Sequence, residues 1–235
     1  MNGSFTIDYF RNWYDYNISF GFELLESHIK EIEELIKIGI ENYENNVQTE
    51  EITYDDFHST VVEHYLGIDS GMYFLDEIFK DYFPNLKRQS IFLMICSFME
   101  NKLYKLCFEV QKEEQSIISV DEMYSRSGKL DRIRFYFKKS FIKQYNKQFE
   151  LQWKIFHNYY RIRNQLSHNF GKIDLSKNQK LKEFILNKSL ITINSDNELV
   201  IDKGFLEQMI NDLRELSKTI QELIRNYYNK NYNLN

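Results

Sequence analysis

The chain has 235 residues, a net charge of −5 and two cysteines, Cys96 and Cys107. A chain of this length can bury a hydrophobic core without disulfides, and on one predicted helix the two cysteines would lie about 16 Å apart, too far to be joined. The longest apolar run, residues 91–99, is far shorter than the ~20 residues of a membrane-spanning helix. The first residues also lack the pattern of a secretory signal, so we expect a cytoplasmic protein without a membrane segment.

The charge is divided unevenly along the chain. Residues 1–80 contain 17 acidic and 4 basic side chains, a net charge of −13, whereas residues 81–235 contain 18 and 26, a net charge of +8. Within the second part, residues 126–154 carry nine cations and two anions. This basic segment is a candidate phosphate-contacting surface, although a solvated helix face has the same composition. The candidate RNA-binding residues within it are Arg134, Lys138, Lys139 and Lys143.

The acidic part is predicted to be helical. Residues 4–46 have the apolar periodicity of one long or once-broken helix, with Gly21 and Gly39 as interruptions. Its apolar side consists of Leu24, Leu25, His28, Ile32, Leu35 and Ile36. Thr53 can cap a second helix, which we expect to run through Tyr65 and to continue to Phe83. Residues 1–85 are therefore interpreted as an acidic helical extension packed on a domain formed by residues 86–235.

The only proline, Pro84, precedes a strongly apolar segment that predicts a helix over residues 85–113. Glu100 interrupts this apolar surface, and a buried carboxylate is costly unless it is paired. We expect Glu100 either to meet a cation or imidazole from a neighbouring helix or to lie at the solvent edge. A short capped turn at residues 119–123 then leads to the basic segment.

Aromatic residues are interleaved with the cations of the basic segment, namely Phe135, Tyr136, Phe137 and Phe141. Aromatic rings among cations can stack RNA bases. At helical spacing, however, such rings more often belong to the hydrophobic core. Both interpretations remain open at this point.

The next predicted helix, residues 145–168, separates polar from apolar side chains. His157, Arg161, Asn164 and His168 follow steps of four, three and four residues, which align them on one helical face. The apolar face is expected to consist of Leu151, Ile155, Tyr159, Ile162 and Leu166. The polar face concentrates groups that can transfer protons and stabilise anions. Gly171 can end the helix because glycine tolerates the left-handed conformation.

The rest of the chain predicts a short helix at residues 179–187, a hairpin at residues 190–201 and a last helix at residues 203–228. The sequence therefore predicts a mainly all-α fold, a helical bundle with one small β-hairpin before the C-terminal helix. Its centre is expected to be formed by the helices at residues 85–113 and 145–168. No HExxH or CxxC motif and no carboxylate cluster at ligand spacing occurs, so no metal site is predicted.

The segment Arg163-Asn-Gln-Leu-Ser-His168 resembles the signature of the HEPN superfamily, an arginine followed after four to six residues by a histidine. The resemblance extends to the helix order of residues 86–228 and does not include residues 1–85. HEPN domains are helical, and many are bacterial ribonucleases of toxin–antitoxin, abortive-infection and other phage-defence systems. Many members have a tyrosine two positions after the histidine, where this chain has Phe170.

The resemblance implies a metal-independent endoribonuclease that needs no cofactor and leaves 2′,3′-cyclic phosphate ends. His168 would move the proton of the RNA 2′-hydroxyl or of the leaving 5′-oxygen, and Arg163 would stabilise the charge of the transition state. Asn164 would orient the scissile phosphate or ribose. One histidine per chain cannot easily act as both acid and base, so a homodimer with the two motifs facing one cleft is implied. Arg161, which also has a permitted spacing, is an auxiliary phosphate ligand, and Glu100 is a further auxiliary residue.

Two other classes of function remain open. The first is a non-catalytic HEPN-like interaction module, such as the partner subunit of a toxin–antitoxin or defence complex. The second is a purely structural helical protein in which His168 caps its helix and Arg163 pairs with Glu100. The acidic residues 1–80 are expected to lie near the basic surface, where they would restrain RNA access or dock a cationic partner.

Overall fold

The structure, a computed structural model, describes the chain except residues 1–7, 56–57, 117, 124–127, 142, 169–171, 174–178 and 233–235. The α-helices are α1 (Trp13–Asn17), α2 (Ser19–Asn46), α3 (Phe83–Glu113), α4 (Lys129–Ser140), α5 (Lys147–His168), α6 (Gln179–Leu186) and α7 (Phe205–Tyr232), and a π-helix, Glu77–Tyr82, leads directly into α3. The strands are β1 (Gln48–Asp55), β2 (His58–Tyr65), β3 (Ile68–Asp69), β4 (Ile191–Ile193) and β5 (Leu199–Ile201). The prediction of a mainly α fold is confirmed. No helix among the described residues is long and apolar enough to cross a membrane.

Helix α3 forms the centre of the bundle and packs against α2, α4, α5 and α7. Its fully buried side chains are Phe92, Ile95, Cys96, Met99, Leu103, Leu106 and Cys107. A helix that is apolar around most of its circumference has to be covered on several sides, as the sequence predicted. The two cysteines are free thiols. Met94 and Phe108 are the parts of its apolar surface that remain exposed.

Helices α5 and α7 pack along each other beside α3. The apolar residues that repeat with the helical period on α7 are all buried, namely Phe205, Met209, Ile210, Leu213, Leu216, Ile220 and Leu223. On α5 the predicted apolar face is confirmed at Tyr159, Ile162 and Leu166. Leu151 is exposed, whereas Trp153 is buried. Because α5 packs on both α3 and α7, its buried surface includes Trp153 and leaves Leu151 in solvent.

The N-terminal segment is helical from residue 8 to residue 46, with turns at Asn12 and Ile18 rather than at the predicted glycines. Buried side chains of this segment belong to the same hydrophobic core as α3, α5 and α7, namely Phe10, Trp13, Ile18, Phe22, Leu25 and Ile29. Leu24 and Leu35 lie on the opposite side and are exposed.

The prediction of a helix from Thr53 through Tyr65 is wrong. Residues 48–55 and 58–65 form the antiparallel hairpin β1–β2, and β3 pairs with β2. Three of the eight residues in each of β1 and β2 are threonine, valine or isoleucine, and such β-branched residues favour extended backbone. Every described side chain of β1 is exposed, and most of β2 is exposed as well. Apolar periodicity cannot mark strands that have so little buried surface.

The predicted hairpin before the C-terminal helix is confirmed as β4–β5. The side chain of Asn85 on α3 holds β5 against that helix. Its Nδ2 donates to the carbonyl of Leu199 at 2.7 Å, and its Oδ1 accepts from the amide of Ile201 at 3.0 Å. Gln89 donates to the same Leu199 carbonyl at 2.8 Å. These bonds satisfy backbone groups of a sheet edge that is buried against the bundle.

Candidate functional site

Helix α5 continues without interruption to His168, whose side chain is exposed. Gly171 and Phe170 lie outside the described residues, and so does the predicted helix stop. On a regular helix Arg161 and His168, seven positions apart, are aligned to within about 20°. Arg163 is rotated from His168 by about 140° and lies about 7.5 Å from it along the helix axis. One chain therefore places Arg161, and not Arg163, on the face of His168.

The guanidinium of Arg163 is held by its neighbours on α5. Its Nη1 donates to Oδ1 of Asn164 at 3.0 Å, and its Cζ lies 5.5 Å from the ring centroid of Tyr160. Both Arg163 and Asn164 are half-buried. The side-chain amide of Asn164 thus orients Arg163. The resemblance implied instead that Asn164 contacts the ribose or phosphate of RNA.

Glu100 lies beside this arginine and has a cation as its partner. Nζ of Lys129 on α4 is 3.2 Å from Oε1 of Glu100, whose side chain is only 12% exposed. Burial raises the pKa of Tyr160 to about 12, and the charge of Glu100 and a hydrogen bond to it contribute in the same direction. Of the two alternatives that the sequence left open for Glu100, the pairing with a cation is confirmed, and a place at the solvent edge is not. Within the described part of the chain the ion-pair partner of Glu100 is Lys129, and not Arg163 as the structural alternative required.

A second polar group lies on the α5 face that His168 shares. Nε2 of His157 is 3.6 Å from Oδ1 of Asp131 on α4. Burial lowers the pKa of His157, the charge of Arg161 lowers it further, and Asp131 opposes both effects. The sequence aligned His157 with this face but missed Asp131, because the contact depends on how α4 packs on α5. The only available signal was a lone carboxylate among the cations of α4.

The four candidate RNA-binding residues differ in their surroundings. Lys138, Lys139 and Lys143 are exposed. Arg134 instead forms an ion pair with Glu150, with Nη2 2.6 Å from Oε2. Three of the interleaved aromatic residues, Tyr136, Phe137 and Phe141, are buried, whereas Phe135 is 43% exposed. The core interpretation is therefore confirmed for three of the four rings.

The acidic helix α2 packs against α3 and α7. Two of its carboxylates pair with arginines of those helices, Glu33 with Arg88 and Glu26 with Arg214, each at 2.7 Å. Neither arginine belongs to the basic segment at residues 126–154. The proximity of the acidic residues to that segment stays a prediction.

Among the residues that the structure describes, no group of three or more His, Cys, Asp or Glu side chains is arranged to hold a metal ion. A scan against protein-family models and searches of curated proteins and solved structures found no match to this chain. The resemblance to the HEPN superfamily consequently rests on the Arg163–His168 motif and on the order of the helices.

Proposed function

We propose that this protein is a metal-independent endoribonuclease of the HEPN type that acts in the bacterial cytoplasm as a toxin or anti-phage defence factor. The observation that carries the proposal is the exposed His168 at the end of α5, five residues after an arginine held by Asn164. RNA is the substrate class because its 2′-hydroxyl is an internal nucleophile. Neither a metal nor a cofactor is then required.

The chemistry needs one group to remove a proton and another to stabilise charge. An exposed imidazole can exchange a proton with RNA near neutral pH, so His168 is assigned to proton transfer at the 2′-hydroxyl or at the leaving 5′-oxygen. A guanidinium remains charged and binds phosphate oxygens in pairs. Arg163 is assigned to the phosphate in the transition state, and Arg161 to binding of the RNA backbone.

The arrangement on α5 favours a site built from two copies. Within one chain Arg163 and His168 point about 140° apart on the helix, and a single imidazole has to serve as both acid and base. In a two-fold symmetric homodimer the single cleft between the copies would receive both imidazoles, and Arg163 of one copy could face His168 of the other. The proposal therefore includes a homodimer that joins through the His168 ends of α5.

The decisive experiment compares RNA cleavage by the wild type and by His168→Ala in the presence of EDTA. We expect the wild type to cleave total RNA with EDTA present, and His168→Ala to lose this activity. His28→Ala is the matched control, because the side chain of His28 is 42% exposed, pairs with Glu31 on α2 and lies outside the motif. If the purified dimer leaves tRNA, rRNA and mRNA intact, or if His168→Ala cleaves as fast as the wild type, the proposal fails.

A second candidate function is a non-catalytic HEPN-like subunit that binds an antitoxin or another defence protein. It is favoured by large exposed apolar side chains around β3, namely Leu66, Met72, Tyr73 and Phe74. Concentrated exposed apolar residues often mark protein interfaces. RNA left intact by the dimer, together with a purified antitoxin that binds equally well to the wild type and to His168→Ala, would favour this function.

A further inference from the structure

A cleft of about 280 Å³ lies between α4 and the first half of α5, outside the Arg163–His168 motif. It is lined by Arg134, Lys147, Glu150, Leu151, Trp153, Lys154 and His157. Most of its polar side chains are hydrogen-bond donors. Glu150 is the only carboxylate among these lining residues.

Glu150 is already engaged by other protein groups. Its carboxylate accepts hydrogen bonds from Nη2 of Arg134 at 2.6 Å and from the hydroxyl of Tyr145 at 2.5 Å. Burial alone would raise the pKa of Glu150, but these hydrogen bonds and the charge of Arg134 lower it overall. The positive charges of Lys147 and Lys154 are therefore left without a partner carboxylate in the described part of the cleft.

Two donors of the lining residues also lack acceptors. Trp153 is only 2% exposed, and its Nε1 has no hydrogen-bond partner among the described residues. The same holds for Nε of Arg134. Buried donors in proteins are nearly always paired, so two unpaired donors on residues of one cationic cleft indicate that an acceptor-rich ligand belongs there.

A phosphate group has the required chemistry. Its oxygens can accept several hydrogen bonds at once, and its charge matches the lysines and the arginine. Leu151, which is 52% exposed, adds an apolar wall suited to a ribose or base next to the phosphate. His157 continues the cleft toward His168, which lies about 16 Å further along the same face of α5.

We propose that this cleft binds a phosphate of a single-stranded RNA backbone, a few nucleotides from the position of His168. The choice of RNA rests on the proposed function, whereas the choice of phosphate rests on the cleft alone. The cleft acts as an anchoring site: it holds the strand along the α5 face and takes no part in bond cleavage.

The experiment uses the two tryptophans of the chain, Trp13 and Trp153, as probes. In protein labelled with ¹⁵N at the indole nitrogens, each tryptophan gives one N–H signal, and Trp13→Phe assigns them. The ligands are inorganic phosphate and a 2′-O-methyl RNA oligonucleotide, which cannot be cleaved because its 2′-oxygen is blocked. We expect both ligands to shift the Trp153 signal saturably, while the Trp13 signal stays in place at matched ionic strength.

Lys147→Ala and Lys154→Ala should each weaken phosphate binding by about fivefold or more, since each removes one charged contact. Both lysines are exposed, so the fold should be retained. Lys105→Ala is the matched control. Lys105 is 68% exposed on α3, and its replacement removes the same charge outside the cleft. Its affinity for phosphate should equal that of the wild type.

A Trp153 signal that does not respond to phosphate, or that responds equally in the lysine variants, would overturn the phosphate site. A response to phosphate but not to the oligonucleotide would overturn RNA as the source of that phosphate. If both ligands shift the signal while the wild type cleaves no RNA, the anchoring site stands and the proposed ribonuclease function fails. The two proposals can therefore fail separately.

Discussion

Gly21 lies where α2 crosses α3, and its replacement by alanine tests how closely the N-terminal helix packs on the bundle. A Cβ atom at this position would lie 2.3 Å from Cζ and 2.7 Å from Cε2 of Phe98. The ring of Phe98 would have to move, and it would then lose its contacts with Phe22 and Lys102. Gly39 on the same helix has only Nζ of Lys87 within reach, at 3.8 Å.

The two glycines therefore separate helix propensity from packing. Alanine is favoured over glycine inside a helix by about 1 kcal/mol, so Gly39→Ala should raise the free energy of unfolding by up to that amount. Overpacking typically costs ~1–3 kcal/mol, so Gly21→Ala should be less stable than Gly39→Ala by about the same 1–3 kcal/mol. For a chain of this size each kcal/mol corresponds to roughly 2–4 °C in melting temperature.

Urea denaturation followed by circular dichroism measures both variants against the wild type. In a Phe98→Ala background the clash is absent, so Gly21→Ala should there stabilise the protein as much as Gly39→Ala does. Equal effects of Gly21→Ala and Gly39→Ala in the wild-type background would refute the packing of α2 against Phe98.

Four other predictions concern the proposed site and its surroundings. Arg163→Lys keeps the charge but loses the paired phosphate contact, so it should slow single-turnover cleavage at saturating RNA, whereas Arg161→Lys should mainly weaken binding; the opposite result would make Arg161 the transition-state arginine. Light scattering should give the mass of a homodimer wherever RNA is cleaved, and an active monomer would contradict the composite site. The pKa of His157 is lowered in the folded protein, so the unfolded chain binds a proton first as the pH falls through about 6.5. Between about pH 7.5 and about pH 5.5 the free energy of unfolding should therefore fall more for the wild type than for His157→Gln. Equal decreases in the two proteins would contradict this prediction. Replacement of the exposed carboxylates of α2 by glutamine, which spares the core, should raise RNA affinity at low salt, and unchanged affinity would count against a screening role.

The helices could be predicted because their buried sides repeat with the helical period, as in α3 and α7. What the period could not fix was the rotation of a helix about its axis. Leu24 and Leu25 are equally apolar neighbours, and only the position of α3 decides that Leu25 is buried while Leu24 is exposed. Leu151 on α5 was misassigned to the buried face for the same reason.

The surroundings of the candidate site could be predicted only in part. The cost of a buried charge predicted a partner for Glu100 in case it was buried, but its burial and the identity of the partner, Lys129, depend on where α4 lies. The contact between Asp131 and His157 likewise joins two helices, and no spacing along the chain encodes it. The order of the helices is encoded in local sequence patterns, whereas contacts between helices follow from their packing.

The hairpin β1–β2 has a further consequence for how the molecule behaves in solution. Apart from Tyr65 at its base, which packs against Tyr43, it buries little and is held mainly by backbone hydrogen bonds between its strands. The third strand, β3, adds only two residue pairs at the base, so the hairpin is close to an isolated two-stranded ribbon, which is marginally stable in water. It should therefore open at a small fraction of the free energy needed to unfold α3 or α7. Its amides should exchange with solvent long before those of the bundle, and a protease should cut residues 48–65 while the helices stay folded. The melting temperature of the protein accordingly reports on the unfolding of the helical bundle and is insensitive to the β1–β2 hairpin.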